Sequence, residues 1–135
     1  MSTEFRVRTS RKIERRDITE EVSRAAAKLG VASGALLVSV PHTTAAITLG
    51  ENWDADVTSD LERALQAWVP HVRFDHSEGN SPAHLLSEVI GASRLVPLEG
   101  GKPELGRWQG VFLIELDGPR ERTVRVAALG GGRDS

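Results

Sequence analysis

The chain has 135 residues, of which 39% are hydrophobic, and this length suits one compact domain with a substantial buried core. Its 17 basic and 19 acidic residues give a formal net charge of −2, which argues against a surface for nucleic acid or an anionic membrane. The absence of cysteine excludes disulfides, thiolate zinc sites and cysteine nucleophiles, so metal ligands would have to be His, Asp or Glu.

Targeting signals are not visible in the sequence. The opening segment MSTEFRVRTSRK is charged and alternating and lacks the apolar run of a signal peptide. No stretch approaches the length of a membrane span. We therefore expect a cytoplasmic protein, with which the absence of cysteine is compatible. It should form a single domain over residues 1–135, with a flexible tail at residues 130–135.

The first half of the chain predicts four strands around one helix. The strands are expected at residues 3–9, 12–16, 35–40 and 45–49. The helix has Asp17 as its N-cap, Glu20 at the capping-box position and Gly30 as its C′ residue. Pro41 separates the third strand from the fourth, so His42 is expected at a bend where a side chain can leave the sheet.

The second half predicts two helices followed by three strands. The first helix should run from Asp54–Asp56 to Trp68, and the second should begin with Ser81 as N-cap and Pro82 at N1 and end at Gly91. The helix that ends at Trp68 should have a core-facing stripe formed by Val57, Leu61, Ala64, Leu65 and Trp68. The strands are expected at residues 94–98, 108–116 and 123–129. Hairpins with helices between them predict an α+β fold of mostly antiparallel sheets, as in a sandwich, with three helices.

The longest apolar strand contains two residues, Trp108 and Gly110, at which we expect close packing. Trp108 opens this strand, so we expect it to pack in the core. Gly110 lies inside the strand, where a glycine indicates close approach by another backbone or by a ligand.

Three of the four histidines lie in polar segments, His42 in PHTTAAITLGEN and the pair His76 and His84 in HSEGNSPAH. Imidazole titrates near neutral pH and is the commonest metal ligand in proteins. His76 and His84 are eight residues apart, which matches no established metal motif but allows the loop to fold back towards the helix. With His42 as third ligand, one coordination position would remain for water or substrate. Taken singly, each is better explained as an exposed loop histidine, so the prediction depends on their convergence.

Polar residues near these histidines extend the candidate site. Asn80 precedes the third helix, whose unpaired N–H groups favour phosphate, although such a residue also suits a simple cap. Thr43 and Thr44 follow the first histidine and are candidate substrate contacts. Glu51 and Asn52 precede the second helix, and its apolar stripe does not explain them, so we assign them to ligand contact or acid–base work. No Walker loop, dinucleotide fingerprint or nucleophile elbow is present.

Taken together, these motifs resemble the YjbQ family, whose members are often named secondary thiamine-phosphate synthase enzymes. The resemblance covers nearly the whole chain and rests on His42-Thr43-Thr44, Glu51-Asn52, Asp56 with Asp60, His76, Gly79-Asn80, His84, Gly106-x-Trp108-Gln109-Gly110 and Asp117-Gly118-Pro119-Arg120. It implies a homotrimer with a histidine-containing site and often a bound metal. It also implies a reaction that joins a hydroxymethylpyrimidine diphosphate to a thiazole phosphate and releases pyrophosphate.

The leading hypothesis is a trimeric enzyme that acts on a small phosphorylated metabolite. His42, His76 and His84 would bind a divalent metal ion, zinc or magnesium, or the substrate's phosphate. The catalytic residues would be His42, Glu51 and Asp56. The substrate contacts would be Thr43, Thr44, Asn52, Asn80 and Arg120. Arg120 lies in a hairpin turn, where an exposed turn residue and a charged clamp at a subunit junction are equally good interpretations.

The alternative is a non-catalytic trimer that holds a metal or metabolite, since no activated nucleophile is evident. In either case, the apolar strands at 35–40 and 111–116 have only three short helices to cover them. A neighbouring subunit would cover what remains, and the histidines would then meet across chains.

Overall fold

The computed structural model describes residues 1–130, so nearly all of the predicted tail lies outside the described residues. The strands are β1 (Ser2–Arg8), β2 (Glu14–Asp17), β3 (Gly34–Ser39), β4 (Ala45–Glu51), β5 (Ser93–Glu99), β6 (Lys102–Pro103), β7 (Gln109–Glu115) and β8 (Glu121–Leu129). The helices are α1 (Thr19–Leu29), α2 (Ala55–Ala67) and α3 (Ser81–Ile90). The short β6, which pairs with the end of β5, is a strand that the sequence did not predict.

The α+β prediction is confirmed, because the strands form two antiparallel sheets accompanied by three helices. One sheet has five strands in the order β1-β8-β3-β5-β6, and the other has three in the order β2-β7-β4. The chain passes from the larger sheet to the smaller after β1, β3 and β6, and it returns to the larger sheet after β2, β4 and β7. Backbone hydrogen bonds join the β1–β2, β3–β4 and β7–β8 connections, so these distant segments meet at one end of the molecule.

The core lies between the two sheets and is closed by α1. Leu36 and Val38 of β3 pack in one apolar cluster with Ile47 of β4 and Leu113 of β7, and all four are fully buried. α1 adds Val22, Ala25, Ala26 and Leu29 to the same region, and their spacing of three and four residues places them on one face of the helix. Burial of each large aliphatic side chain is worth about 1.5–3 kcal/mol, so this layer supplies much of the driving force for folding.

The two outer faces of the sandwich differ in their cover. On the three-stranded sheet, Ala46, Phe112 and Ile114 pack beneath Ala83 and Leu86 of α3. On the five-stranded sheet, Leu37 is paired with Leu95 on one side and Ala127 on the other, in one cross-strand row. Ala35 lies similarly between Pro97 and Leu129. Leu95 is 58% exposed, so this apolar face of the larger sheet is open in the single chain.

Both predicted N-caps are wrong by one residue. α1 begins after Ile18, and Asp17 instead accepts a hydrogen bond from the backbone N–H of Thr19 at 2.9 Å. α3 has Asn80 at its N-cap position, so Ser81 is already helical. In each helix a polar residue still lies at the start, but the chain enters the helix one residue away from where the sequence signal placed it.

The apolar stripe predicted for α2 is wrong in its orientation. Leu61 is 42% and Trp68 60% exposed, whereas Glu62 is 7% exposed. The Glu62 carboxylate accepts hydrogen bonds from both terminal nitrogens of Arg11, at 2.6 and 3.0 Å, and from the backbone N–H of Arg15 at 2.7 Å. A charge-assisted site on β2 and the segment before it therefore fixes the rotation of the helix, and part of the apolar stripe is left outside.

Trp108 is not a core residue, so the prediction that it packs in the core is wrong. Its side chain is 43% exposed and stands edge to face against Trp53, with ring centroids 4.7 Å apart. β7 begins only at Gln109, so the indole precedes the buried part of the strand. Gly110 does lie in a tightly packed place, since a Cβ there would come within 2.8 Å of Asn52 Nδ2 and Thr19 Oγ1.

Candidate functional site

The predicted site residues lie at both ends of β4. Thr44 immediately precedes the strand and Glu51 is its last residue. A strand of this length rises roughly 20 Å, at about 3.3 Å per residue. Within one chain, therefore, the His42-Thr43-Thr44 segment and the Glu51-Asn52 segment do not meet.

A buried ion pair organises the end that carries the histidines. Arg122 and Glu115 are 2% and 0% exposed, and the Arg122 Nε donates to Glu115 Oε1 at 2.9 Å while an Nη nitrogen bonds the other oxygen. The carboxylate also accepts hydrogen bonds from Thr9 Oγ1 at 2.7 Å and from the Asp117 N–H at 3.0 Å. Burial alone would raise the pKa of Glu115, but the hydrogen bonds from Arg122, Thr9 and Asp117 together lower it.

The same guanidinium holds the His42-Thr43-Thr44 bend. Arg122 donates to the carbonyl oxygen of Thr44 at 2.9 Å and to its hydroxyl at 2.8 Å. Thr44 is 5% exposed, so its side chain supports the bend and does not face solvent. Thr43 is exposed and remains free for contact with a ligand. Thus only one of the two predicted threonine contacts is presented to solvent in the single chain.

His42 is held by β8. The backbone N–H of Thr123 donates to His42 Nε2 at 2.9 Å, so the neutral ring carries its proton on Nδ1. Burial lowers the pKa of His42, the nearby Arg122 lowers it further, and Glu115 opposes the shift. The imidazole is therefore set as a neutral hydrogen-bond donor at neutral pH.

Asn80 and Arg120, both predicted to bind substrate, are joined through Asp117. Asn80 Nδ2 donates to Asp117 Oδ2 at 2.9 Å, and Arg120 Nη2 donates to the same oxygen at 3.1 Å. Arg120 Nε also donates to the Asp117 carbonyl oxygen at 2.8 Å. The Asn80 Oδ1 is buried and accepts no hydrogen bond from the described residues. The first residue of the turn thereby fixes the N-terminus of α3 against β7.

His42, Thr43 and His84 line one cleft of about 420 Å³, together with Ser87 and Glu88. His76 lies next to this cleft, with its ring edge to face on that of His84 and the ring centroids 5.6 Å apart. The cleft thus has two imidazoles in its lining and a third nearby, and it runs along α3 from His84 to Gly91 and Ala92 after the end of the helix.

The fit of a metal ion to a single chain is poor. Among residues 1–130, no group of three or more His, Cys, Asp or Glu side chains is arranged to hold a metal ion. His42 Nε2 is already an acceptor for Thr123, and His76 and His84 alone are fewer ligands than a catalytic zinc site requires. Magnesium prefers oxygen ligands, which this histidine cluster does not supply.

The residues at the other end of β4 serve α2 in the single chain. Glu51 Oε2 accepts hydrogen bonds from the N–H groups of Trp53 and Asp54, each at 3.2 Å. Asp54 is the N-cap of α2 and accepts from the N–H of Asp56 at 2.8 Å. The exposed Asn52 side chain packs against Gly110. Here, Glu51 supports the start of a helix, and the exposed Asp56 carboxylate lies in the first turn.

Glu115 and Arg122 are the polar residues that the sequence reading missed. A signal was available in the strand alternation, because Arg122 has the same parity in β8 as the buried Val124 and Val126. Glu115 likewise interrupts the apolar run of β7 at the parity of Val111 and Leu113. A cation and an anion on inward-facing positions of two strands indicate a buried ion pair, since neither would be stable there alone.

The part of the chain from residue 1 to residue 130 contains no helix that is long and apolar enough to cross a membrane. Its two antiparallel sheets, three helices and histidine-lined cleft define a small α+β sandwich protein of the YjbQ-like fold. The chain belongs to the YjbQ family, described as UPF0047 protein YjbQ-like, whose model matches residues 3–131.

Individual relatives agree with this assignment. The chain is 42% identical to the UPF0047 protein YugU of Bacillus subtilis, over 93% of this chain and 97% of that protein. It is 40% identical to the UPF0047 protein MJ1081 of Methanocaldococcus jannaschii, over 96% and 95% of the two chains.

Two solved structures show the same fold. An uncharacterized conserved protein of the YjbQ/UPF0047 family from Clostridium acetobutylicum superposes with a TM-score of 0.89 at 42% identity, covering 94% of this chain and 99% of that one. A hypothetical protein from Aeropyrum pernix gives 0.88 at 35% identity, covering 96% and 98%. These identities cover nearly the full length, so family and fold are established together.

Proposed function

We propose that this protein is a small trimeric enzyme that binds a phosphorylated metabolite in the cleft between His42 and His84. The observation that supports this most is that His42, Thr43 and His84 line one cleft although they come from distant segments. His84 adds a second imidazole to that of His42, so two ring side chains can form hydrogen bonds with a phosphate in this cleft. A cytoplasmic location remains part of the proposal.

The proposed chemistry at the cleft begins with His42. Its Nε2 accepts from Thr123, so its Nδ1–H is available to donate to a phosphate oxygen. Thr43 adds an exposed hydroxyl, and Arg120, tied to Asp117, would place positive charge near the same anion. The residues of this chain would therefore orient the substrate and neutralise part of its charge.

The catalytic role proposed for Glu51 and Asp56 requires a neighbouring subunit. They lie at the far end of β4 from His42, roughly 20 Å away along the strand. A three-fold assembly repeats one heterologous interface, which can place one end of a subunit against the other end of the next. We propose that Glu51, Asn52 and Asp56 reach the histidine cleft in this way.

The open face of the five-stranded sheet supports this assembly. Leu37, Leu95 and Ala127 form an apolar row on its outer side, and Leu95 is 58% exposed. A contiguous apolar surface of this kind is costly in water and is typical of subunit contacts. A divalent metal, zinc or magnesium, fits the proposal only if His76 and His84 gain a further ligand from the adjoining subunit.

The reaction to test first is the one implied by the family's common name. It joins a hydroxymethylpyrimidine diphosphate to a thiazole phosphate: a carbon–nitrogen bond forms, the carbon–oxygen bond to the diphosphate breaks, and pyrophosphate leaves. A cleft in which the neutral His42 ring donates from Nδ1 would hold the diphosphate and stabilise its developing charge.

A non-catalytic trimer that holds a metal or metabolite is the second candidate. One observation favours it: in the single chain the Glu51 carboxylate is occupied with the N–H groups of Trp53 and Asp54. A base that already stabilises a helix start is less available for proton transfer. In this case ligands would bind to the cleft without turnover.

Three measurements test the proposal. Elemental analysis of the purified protein reports a bound metal, thermal shift with phosphate and pyrophosphate reports binding, and a coupled assay reports release of pyrophosphate. We expect both anions to raise the Tm, since ligands that bind only the folded state stabilise it by mass action. His84→Ala should reduce that shift, whereas His71→Ala, an exposed histidine away from the cleft, should leave it unchanged.

The outcomes separate the candidates. Binding that depends on His84, together with pyrophosphate release, supports the enzyme. The same binding without turnover on any phosphorylated substrate supports the binding module. If neither anion shifts the Tm, or His84→Ala and His71→Ala behave alike, the cleft is not the phosphate site.

A further inference from the structure

Arg15 is a buried cation on the side of the three-stranded sheet that faces the helices. It is 6% exposed and lies in β2 opposite Ile114 of β7. Its guanidinium stacks over the Phe112 ring, with 3.6 Å from the guanidinium carbon to the ring centroid. It donates to Thr58 Oγ1 at 2.6 Å and to the carbonyl oxygen of Glu51 at 2.8 Å. These contacts hold the group in one position.

Both hydrogen bonds of the Arg15 guanidinium go to neutral oxygens. Among residues 1–130, no carboxylate lies within ion-pair distance of its guanidinium, and the nearby Glu62 carboxylate pairs with Arg11. An arginine has five N–H donors, and the described residues accept from Nη1 and Nη2 here, so the Nε–H is free to donate to solvent or to a ligand. Burial lowers the pKa of Arg15, against the opposing effects of Glu51, Asp17 and Glu62. These carboxylates act on the guanidinium only from beyond ion-pair distance, so an anion in direct contact would add a charge-assisted hydrogen bond.

An apolar groove leads to this cation. It has a volume of about 290 Å³, and its lining residues besides Arg15 are Thr48, Leu61, Ala64, Leu65, Trp68, Ile90 and Ile114. The groove exists because α2 turns Glu62 to the sheet, which leaves the apolar side chains of Leu61 and Trp68 on its margin. A single cation among mostly apolar lining residues is the feature of a site for an amphipathic anion.

We propose that this groove binds a small organic carboxylate, whose carboxylate meets Arg15 and whose apolar body lies along α2 between Leu61 and Trp68. Charge complementarity determines the class of ligand, because a purely apolar occupant would leave the guanidinium uncompensated. The small volume favours a monocarboxylate of about eight carbons over a larger ligand. The site is separate from the histidine cleft, because no residue lines both.

Binding of octanoate to the full-length protein tests this, measured by isothermal titration calorimetry and by amide chemical shifts. We expect octanoate to bind and 1-octanol, which has the same chain without the charge, to bind at least tenfold more weakly. Arg15→Gln should abolish the preference for octanoate. Ala64→Phe, at an exposed helix position on the groove, should block both ligands without touching Arg15. Arg8→Gln, an exposed arginine of β1, is the control and should bind like the parent.

The proposal is overturned if octanoate does not bind the parent protein at millimolar concentration or binds no better than 1-octanol. It is also overturned if Ala64→Phe binds octanoate unchanged, and this arm remains decisive should Arg15→Gln fail to fold. If octanoate does not bind but Ala64→Phe changes the mass of the assembly, the groove is occupied by a second copy of the chain, which also contradicts the proposal.

Discussion

Asn80 and Arg120 share one acceptor, Asp117 Oδ2, at 2.9 and 3.1 Å. The three residues come from the start of α3 and the turn between β7 and β8, and the Asp117 N–H continues the chain of hydrogen bonds to Glu115. In a connected polar network of this kind, each member holds its neighbours in position. The shape of the histidine cleft should therefore depend on buried residues that do not touch a ligand.

Loss of Glu115 should be strongly destabilising. Glu115→Ala would leave the guanidinium of Arg122 buried without its partner, and breaking a buried pair in this way typically costs about 3–5 kcal/mol. The free energy of unfolding from urea denaturation measures this. Glu121→Ala is the matched control, because its ion pair with Arg6 is exposed and should be worth less than about 1 kcal/mol. Equal losses in the two variants would contradict the assigned role of the buried pair.

The same carboxylate predicts an acid-sensitive contribution to stability. The pKa of Glu115 is lowered in the folded protein, so its contribution is full above the unfolded carboxyl value of about 4.3 and is lost as the pH falls below it. The difference in unfolding free energy between the parent and Glu115→Gln should therefore shrink between pH 7 and pH 3. A difference that is constant over this range would show that ionisation of Glu115 does not contribute.

His42 should titrate below the ordinary imidazole value of about 6.5 in metal-free protein. Its lowered pKa means that its neutral form contributes stability fully above about pH 6.5 and loses it as the pH falls through the folded pKa. Arg125→Gln removes a nearby positive charge and should raise the midpoint. Arg107→Gln, at the Trp108 end, should leave it unchanged. Ring-proton chemical shifts measured against pH give the midpoints. A lower midpoint in Arg125→Gln than in the parent would contradict the proposed effect of this charge on His42.

Gly110→Val should disturb the molecule far more than Arg125→Lys. A Cβ at position 110 would lie 2.8 Å from both Asn52 Nδ2 and Thr19 Oγ1, so these side chains must move. Overpacking of this kind usually costs about 1–3 kcal/mol. Arg125 is exposed on β8, and its replacement by lysine keeps the charge. The Tm and the mass in solution are the measurements, and equal, negligible changes in both variants would refute the prediction.

The protein should have a mass in solution of about three times the monomer mass of 14.6 kDa. Leu95→Glu places a charge on the apolar outer face of the larger sheet and should dissociate the assembly. Val89→Glu makes the same change on α3, where the residue is similarly exposed, and should not. Light scattering distinguishes these outcomes. If only Val89→Glu dissociated the assembly, the subunit interface would lie on the helices and not on the larger sheet. A folded monomeric parent would exclude the trimer.

Much of the fold is readable from local patterns, because each long strand and helix has its own periodicity and its own end signals. The apolar run of β3, the stripe of α1 and the Gly91 stop of α3 are all of this kind. The orientation of α2 is not, since it depends on Glu62 meeting Arg11 from a segment 51 residues away. Hydrophobic periodicity contains no information about such a partner.

The candidate site, like the fold, could be predicted from the sequence only in part. The polar segments with His42 and His84 were visible in the sequence, and the structure brings these two residues to one cleft. The role of Asp117 as common acceptor was not visible, because it depends on how the β7–β8 turn meets α3. Likewise, the separation of Glu51 from His42 follows from their positions at opposite ends of β4, which composition cannot indicate.

The position of β8 has a consequence for synthesis of the protein on the ribosome. β8 is the last strand of the described chain, yet it lies between β1 and β3, and β1 pairs with no other strand. A nascent chain that ends before residue 121 therefore leaves β1 unpaired and exposes the edge of β3. Arg122 is part of β8, so Glu115 has no counter-ion until β8 has been synthesised. The larger sheet and the buried ion pair can then be completed only after β8 has been synthesised, and until that stage the unpaired edges are open to other chains.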